Sequence, residues 1–299
     1  MRYMKENPLK ICKHIVLALR PQQWIKNFFI FMPLIFGKQL LCLPMFCKVM
    51  SAFVLFCMMS SAVYMLNDLI DLEEDKNHPG KLNRPIASGN VHTRHVKLTI
   101  VILSLLSMFF SFKFNAYFGC VVLSYFFLNV IYSNILKKVV IIDVFCIGIF
   151  FLLRIIAGTV VTGVEYSHWM IFMVILLAMF LGFNKRRQEL ELYGQQSKRH
   201  VLAKYSPYFI DQIISVITSS IVVVYMLYTV DARTISLFGT KHLIYSIPFV
   251  YYGIFRYLYL VHRKKPIEDP TQILLNDFAM QFNLIIWILV CIFVIYFKL

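Results

Sequence analysis

Long runs without a charged side chain constrain this chain more than any other feature of its sequence. Five runs of 19 to 23 residues lack Asp, Glu, Lys and Arg: 49–67, 114–136, 166–184, 212–230 and 278–297. A helix needs roughly 20 consecutive apolar residues to cross the hydrocarbon of a bilayer. These runs therefore predict membrane-spanning helices, and they exclude a soluble globular protein.

Four weaker apolar runs complete the predicted topology. They are interrupted by isolated charges or by proline, and they lie at about 24–43, 97–113, 139–163 and 242–262. Together the runs predict nine transmembrane helices. We therefore expect an all-α, polytopic membrane protein that forms a single domain over residues 1–299.

The basic residues predict the orientation of these helices. If the N-terminus is cytoplasmic, 22 of the 30 Lys and Arg fall on the inside, 6 on the outside and 2 within helices. Lys and Arg concentrate in cytoplasmic loops, so this ratio indicates a cytoplasmic N-terminus and two longer cytosolic loops, 68–96 and 185–209. The net charge of +15 suits anionic lipid headgroups and anionic substrates, and nucleic acid is not an expected partner.

An acidic cluster follows the second predicted helix, within "NDLIDLEEDKNHPGKLNRPIASG" at 67–89. Asp68, Asp71 and Asp75 are spaced i, i+3 and i+7, which places them within about 60° on one helix face. Converging carboxylates need a cation, and Mg²⁺ prefers oxygen ligands that it shares with substrate phosphates. The cluster therefore predicts three catalytic metal ligands, the alternative being an ordinary solvated helix end.

Other polar residues of this stretch extend the predicted site. Lys81 and Arg84 supply positive charge just beyond the aspartates, and Asn67 adds a polar ligand or orienting group. Carboxylates that hold a metal, next to cations that hold phosphate oxygens, indicate a metal-bound diphosphate leaving group.

The same stretch resembles the first Asp-rich motif, NDxxDxxxD followed by a basic segment, of the UbiA superfamily of intramembrane prenyltransferases. This resemblance implies nine transmembrane helices around a central cavity, with the catalytic loops and the active site facing the cytoplasm of the inner membrane. Prenyltransferases of the superfamily carry a second, DxxxD-like motif after helix six. This chain instead has "GFNKRRQELELYG", in which Lys185, Arg186 and Glu189 form a cationic segment.

Four stretches are together similar to the decaprenyl-phosphate phosphoribosyltransferase branch of that superfamily. They are "LRPQQWIKNFFIFMPLIFG", "YSNILKKVVIIDVFCIGIFFLLRIIAG", "NKRRQEL" and "FRYLYLVHRKKPIEDPTQILLND". The resemblance implies a Mg²⁺-dependent transfer, with inversion, of 5-phosphoribosyl from phosphoribosyl diphosphate to a polyprenyl phosphate. The product would serve cell-envelope glycan synthesis.

Further candidate ligands for the phosphate groups of these substrates are basic or polar residues near the inner ends of predicted helices. They are Lys26, Tyr132, Lys137, Lys185 and Arg186, and Glu189 in the same segment as the last two is a further candidate substrate-binding residue. For each lone basic residue the alternative is a side chain that reaches from the membrane to the interface. Arg154 lies inside a predicted helix, where a charge costs roughly 3 kcal/mol. It is either a structural clamp or a cavity wall that contacts a substrate phosphate.

Two other functions remain open at this point. The first is a UbiA-type prenyltransferase that moves a prenyl group from prenyl diphosphate to an aromatic acceptor, although the second aspartate motif is missing. The second is a membrane lipid transporter or flippase, although the sequence has no matching pair of broken helices. Bound membrane lipids are expected, and the length of the polyprenyl chain and association into a homo-oligomer stay open.

Overall fold

The computed structural model describes residues 8–77, 80, 82–164, 167–193, 202–263 and 276–297. Within these ranges the chain forms α-helices, short 3₁₀ helices and turns, with no strand. Seven of the described helices are long and apolar enough to cross a membrane. The prediction of an all-α, multi-pass membrane protein is therefore confirmed.

The α-helices are numbered here in chain order. The first six are α1 Pro8–Ala18, α2 Met32–Phe36, α3 Leu43–Ile70, α4 Leu72–Lys76, α5 Thr93–Phe114 and α6 Ala116–Asn134. The others are α7 Ile142–Thr162, α8 His168–Tyr193, α9 Pro207–Val230, α10 Ala232–Phe238, α11 Ile247–Arg263 and α12 Phe278–Phe297. The 3₁₀ helices are Pro21–Phe31, Leu136–Lys138, Leu202–Lys204 and His242–Ser246.

Side chains cap the starts of two of the long helices. The side chain of Asn115 accepts a hydrogen bond from the Phe118 backbone N–H at the start of α6. Ser206 does the same for Phe209 at the start of α9, where proline occupies the first helical position. Such caps satisfy backbone donors that have no partner inside the helix, so two adjacent apolar runs become separate helices.

The first predicted spanning segment, 24–43, differs most from expectation. It is divided into the 3₁₀ helix Pro21–Phe31, the short α2 and a turn in which Lys38 has a left-handed φ of 57°. Proline near the start and again at Pro33 removes backbone donors that a continuous α-helix would use. The count of nine spanning helices stays a prediction, because seven described helices meet the length and hydropathy requirements.

The predicted loop at 185–209 is wrong in its first part, because α8 continues to Tyr193. The segment "NKRRQELELY" consists largely of good helix formers. Arg186 and Glu189 also form an ion pair one turn apart, which supports the helix. Lys185, Arg186 and Glu189 thus lie on a helix and not on a loop.

The chain divides into two compact units. One takes the described residues within Met1–Leu34, Gln39–Leu136 and Leu153–Val164, and the other takes those within Ile35–Lys38, Lys137–Leu152 and Glu165–Leu299. In the first unit α3 packs against α5, α6 and the 3₁₀ helix Pro21–Phe31. In the second unit α8 packs against α9, and α11 packs against α12.

Close backbone contact fixes the end of α7 in the first unit. A Cβ atom at Gly158 would overlap the carbonyl oxygen of Ile30 and lie 3.1 Å from Cδ of Pro33. Only glycine lets these two segments approach so closely, because neither the backbone nor the proline ring can move aside as a flexible side chain would.

Gly158→Ala should therefore destabilise the protein by about 1–3 kcal/mol, the usual cost of forcing extra volume into a packed site. The matched control is Gly148→Ala on the same helix, where the nearest atom lies 3.7 Å from the added Cβ. We expect Gly158→Ala to lower the melting temperature in detergent and Gly148→Ala to leave it unchanged or raise it. Equal melting temperatures for the two variants would contradict the close contact.

Candidate active site

The aspartate-rich segment forms the end of α3 and the short helix that follows. Asp68 lies in the last turn of α3, and Asp75 lies in α4. Asp71 separates the two helices, and its backbone N–H donates to the Asn67 carbonyl at 2.9 Å. Asp68 and Asp75 are only 5% and 1% exposed. Glu73 and Glu74, in contrast, lie at the surface.

Arg84 joins the two buried aspartates. Its Nη1 donates to Oδ1 of Asp68 at 3.1 Å and to Oδ2 of Asp75 at 2.5 Å. One oxygen of each carboxylate therefore faces the same nitrogen. The structure thus brings together three residues that sequence analysis placed in one site, and it does so around a cation.

Arg20 is a residue of this cluster that sequence analysis missed. It donates to Oδ2 of Asp68 from Nε at 3.2 Å and to Oδ1 from Nη2. Its φ of 53° lies in the left-handed region, which turns the chain between α1 and the 3₁₀ helix. The sequence gave one local sign of a break in the helix at this position, because Arg20 directly precedes proline in "LRPQQW". The residue before proline is kept out of the helical region.

Asn67 is oriented by a second residue that sequence analysis did not select. Ser133, in the last turn of α6, donates a hydrogen bond to Oδ1 of Asn67. Because the amide oxygen accepts this bond, its NH₂ group is directed elsewhere and stays a donor. The sequence "YSN" gave no sign of this contact, which joins residues 66 positions apart.

Arg154 is held by neutral polar groups and aromatic rings within the first unit. It is 2% exposed, and it donates to Oδ1 of Asn27 at 2.8 Å and to the Tyr125 hydroxyl at 3.1 Å. Its guanidinium also lies over the rings of Phe56 and Tyr125, at 5.5 and 5.0 Å. A buried arginine in an apolar helix needs such partners, so the contacts give Arg154 a structural role. Its contact with a substrate phosphate stays a prediction.

Asp143, a carboxylate in the first turn of α7, pairs with another helix in the second unit. Arg186 on α8 donates from Nε to Oδ2 of Asp143 at 2.7 Å and from Nη1 to Oε2 of Glu189 at 2.5 Å. Tyr205 donates to Oδ1 of Asp143 at 3.1 Å and accepts from the Ile141 backbone N–H at 2.6 Å. The carboxylate of Asp143 is thus fixed from two directions.

The remaining predicted ligands lie on four different helices. Lys26 lies in the 3₁₀ helix Pro21–Phe31, Tyr132 in the last turn of α6, Lys137 in the 3₁₀ helix Leu136–Lys138, and Lys185 in α8. All four are half-buried. Lys81 lies outside the described residues. The substrate-binding roles of these residues therefore stay predictions.

The donor set of the first cluster suits a divalent cation in its chemistry. Carboxylate oxygens are the ligands that Mg²⁺ prefers, and those of Asp68 and Asp75 already converge on one cationic nitrogen. Among the described residues, no three His, Cys, Asp or Glu side chains are arranged to hold a metal ion. The assignment of Asp68, Asp71 and Asp75 as joint ligands stays a prediction.

Residues 43–285 match the UbiA prenyltransferase family, and the chain belongs to that family. Decaprenyl-phosphate phosphoribosyltransferase from Corynebacterium glutamicum is 29% identical, over 98% of this chain and 90% of the relative. The protein of the same name from Mycolicibacterium smegmatis is 29% identical, over 94% and 92%.

Solved structures show the same fold. A UbiA homologue from Archaeoglobus fulgidus, bound to DMAPP and Mg²⁺, superposes with a TM-score of 0.71 at 18% identity. The match covers 94% of this chain and 98% of that one. The same homologue is also solved with GPP and Mg²⁺, so divalent metal use occurs within the family. The family prediction is confirmed.

The contact between Tyr205 and Asp143 predicts that the stability of the folded protein depends on pH. Burial raises the pKa of Tyr205 to about 12, and the hydrogen bond from Ile141 opposes this shift. In the unfolded chain a tyrosine ionises near its ordinary value, about 10. The stabilisation from the protonated hydroxyl is therefore fully present below pH 10, and it is lost as the pH rises toward 12.

We expect the melting temperature of the wild type to exceed that of Tyr205→Phe by a constant margin up to about pH 9. The margin should then narrow at higher pH. Thermal unfolding of both proteins in detergent across pH 7–11 measures it, and Tyr208→Phe, at an exposed position, is the control. A margin that does not depend on pH, or that widens above pH 10, would contradict the contact.

Proposed function

We propose that this protein transfers the 5-phosphoribosyl group of 5-phospho-α-D-ribose 1-diphosphate to a polyprenyl phosphate, with release of diphosphate. The observation that carries this proposal is the similarity, over nearly the whole chain, to proteins named decaprenyl-phosphate phosphoribosyltransferase. The site supports it as well, because cations and carboxylates lie together at the end of α3. Both substrates of such a reaction carry phosphate groups.

The proposed mechanism is a single displacement at the anomeric carbon. The bond from C1 to the diphosphate oxygen breaks, and both of its electrons leave with the diphosphate. An oxygen of the lipid phosphate forms the new bond from the opposite face, so the α donor gives a β product. Because that phosphate is already an anion, no proton has to be removed from it. The protein therefore has to position the substrates and stabilise charge.

Each residue of the first cluster has a role in this scheme. Asp68, Asp71 and Asp75 would hold Mg²⁺, which when bound supplies positive charge to the diphosphate oxygens. Arg84 would bind the phosphate oxygens that the metal leaves uncovered. Arg20 fixes the carboxylate of Asp68 through both of its oxygens. Asn67, held by Ser133, would present its NH₂ group to the donor.

We assign the remaining predicted ligands to substrate phosphates in the same scheme. Lys26, Tyr132, Lys137 and Lys185 would contact the 5-phosphate or the lipid phosphate. The site would face the cytoplasm of the inner membrane, which the distribution of the 30 Lys and Arg supports. Arg154 and Arg186 are each only 2% exposed, and both already donate hydrogen bonds to protein groups. Their first role would be to hold the helices that carry the site.

The proposed reaction can be tested with purified protein, Mg²⁺, radiolabelled phosphoribosyl diphosphate and a polyprenyl phosphate. Label should appear in the extracted lipid and should disappear in excess chelator. Asp68→Asn should reduce product at least about 100-fold, the effect of removing one group that stabilises developing charge. Glu74→Gln is the matched control, because this surface carboxylate lies outside the cluster, and it should change product by less than about twofold.

Two results would count against the proposed function. One is labelled product from a prenyl diphosphate and an aromatic acceptor, with none from phosphoribosyl diphosphate, which would identify a prenyltransferase. The other is an equal loss from Asp68→Asn and Glu74→Gln, which would remove the distinction between the buried cluster and the surface acids.

A further inference from the structure

Asp68 and Asp75 form a pair of buried carboxylates that needs a counter-ion when no metal is bound. Their side chains are 6% and 1% exposed. Ionised carboxylates this deeply buried and this close repel each other unless a cation neutralises them. The Arg84 guanidinium meets this need, with one nitrogen at hydrogen-bond distance from both.

A divalent ion that bound between the two aspartates would compete with Arg84 for the oxygens that face each other. Oδ1 of Asp68 and Oδ2 of Asp75 are the two atoms that Arg84 Nη1 contacts. Two cations cannot both occupy the space between those oxygens, since each would repel the other at contact distance. Metal binding through these two oxygens and the Arg84 bridge therefore exclude each other.

We propose that Arg84 is the internal counter-ion of the metal-free site, and that a divalent ion displaces it. The displaced guanidinium then becomes available to the anionic oxygens of the diphosphate. This inference deepens the proposed function and rests on the metal-binding part of it. It predicts an order in which the metal opens the site and the donor's diphosphate gains Arg84 as a ligand.

The position of Arg84 suits a group that moves. It lies in the turn region between α4 and α5, where the Ser88 backbone N–H donates to its carbonyl at 2.9 Å. Its side chain is 30% exposed, against 6% and 1% for the two aspartates. Solvent therefore reaches the arginine while the carboxylates are covered. A long, flexible side chain can leave such a position without unfolding a helix.

Arg20 differs from Arg84 in a way that supplies a control. It contacts both oxygens of Asp68 but does not bridge to Asp75. Its removal takes away one nearby positive charge, as the removal of Arg84 does, but leaves the bridge in place. Comparison of the two variants therefore separates occupation of the space between both aspartates from the loss of a cation that pairs with Asp68 alone.

The test is the affinity for Mn²⁺, measured by the electron paramagnetic resonance signal of the free ion with purified protein and no substrate. Arg84→Gln should bind Mn²⁺ roughly tenfold more tightly than the wild type, because the competing state is no longer populated. Arg20→Gln should gain less than about threefold on the same basis. Arg187→Gln, which removes a guanidinium paired with Asp211 and Glu191, should not change the affinity.

Stability provides a second measurement. In excess chelator Arg84→Gln should melt at a lower temperature than the wild type, because it removes the guanidinium that joins the two buried carboxylates. Saturating Mn²⁺ should raise the melting temperature of Arg84→Gln by more than it raises that of the wild type. If Arg84→Gln cannot be purified, Arg84→Lys keeps the charge but loses the planar fork. It should then show a smaller gain in Mn²⁺ affinity.

The proposal is overturned if Arg84→Gln binds Mn²⁺ no more tightly than the wild type, or if Arg20→Gln gains as much. With Arg84→Lys as the substitute, an unchanged affinity has the same meaning. Neither measurement involves phosphoribosyl transfer. Product formation by the wild type with no gain in Mn²⁺ affinity in Arg84→Gln would reject the counter-ion role and retain the proposed function.

Discussion

The contact of one guanidinium group with two buried carboxylates determines how the aspartate-rich segment folds. Asp68 ends one helix and Asp75 belongs to the next, and Arg84 reaches both from the turns that follow. Without a cation at this point, the repulsion between the carboxylates would separate α3 from α4 or force one carboxylate to take up a proton. The geometry of the candidate active site therefore depends on charge balance as well as on apolar packing.

Two other buried arginines in the described part of the chain also have polar partners. Arg154 is surrounded by the amide of Asn27, the hydroxyl of Tyr125 and two aromatic rings. In the second unit Arg186 pairs with Asp143. Each buried cation thus fixes an element that hydrophobic contact alone would leave free to slide, since apolar side chains have little preference between lipid and one another. Such contacts give the helices a definite register.

Much of the fold could be predicted from the sequence, because the thickness of the bilayer sets the length of each apolar run. The runs at 49–67, 212–230 and 278–297 correspond to α3, α9 and α12. The segment 24–43 could not be predicted as a 3₁₀ helix and a turn, since composition does not reveal where proline interrupts a helix and where it begins one. The extension of α8 was missed because polar residues were taken as evidence for a loop.

The candidate site was only partly predictable. Asp68, Asp75 and Arg84 lie within 17 residues of one another, and their spacing indicated a shared site. Arg20 and Ser133 were not found, because their contacts with Asp68 and Asn67 span 48 and 66 positions. A single sequence carries no record of such distant pairs, and only the packing of α1, α3 and α6 brings them together. Local motifs therefore indicate the chemistry, and the tertiary fold selects the residues that orient it.

An experimental map of the protein with Mn²⁺ and phosphoribosyl diphosphate would test the central claim most directly. That claim is that the oxygens which Arg84 now bridges receive the metal, and that the displaced Arg84 guanidinium binds the donor's diphosphate. The expected result is anomalous density for Mn²⁺ at about 2.0–2.2 Å from carboxylate oxygens of Asp68 and Asp75, with the Arg84 guanidinium against the diphosphate. Density for the metal at other residues, with Arg84 still between the two aspartates, would contradict it.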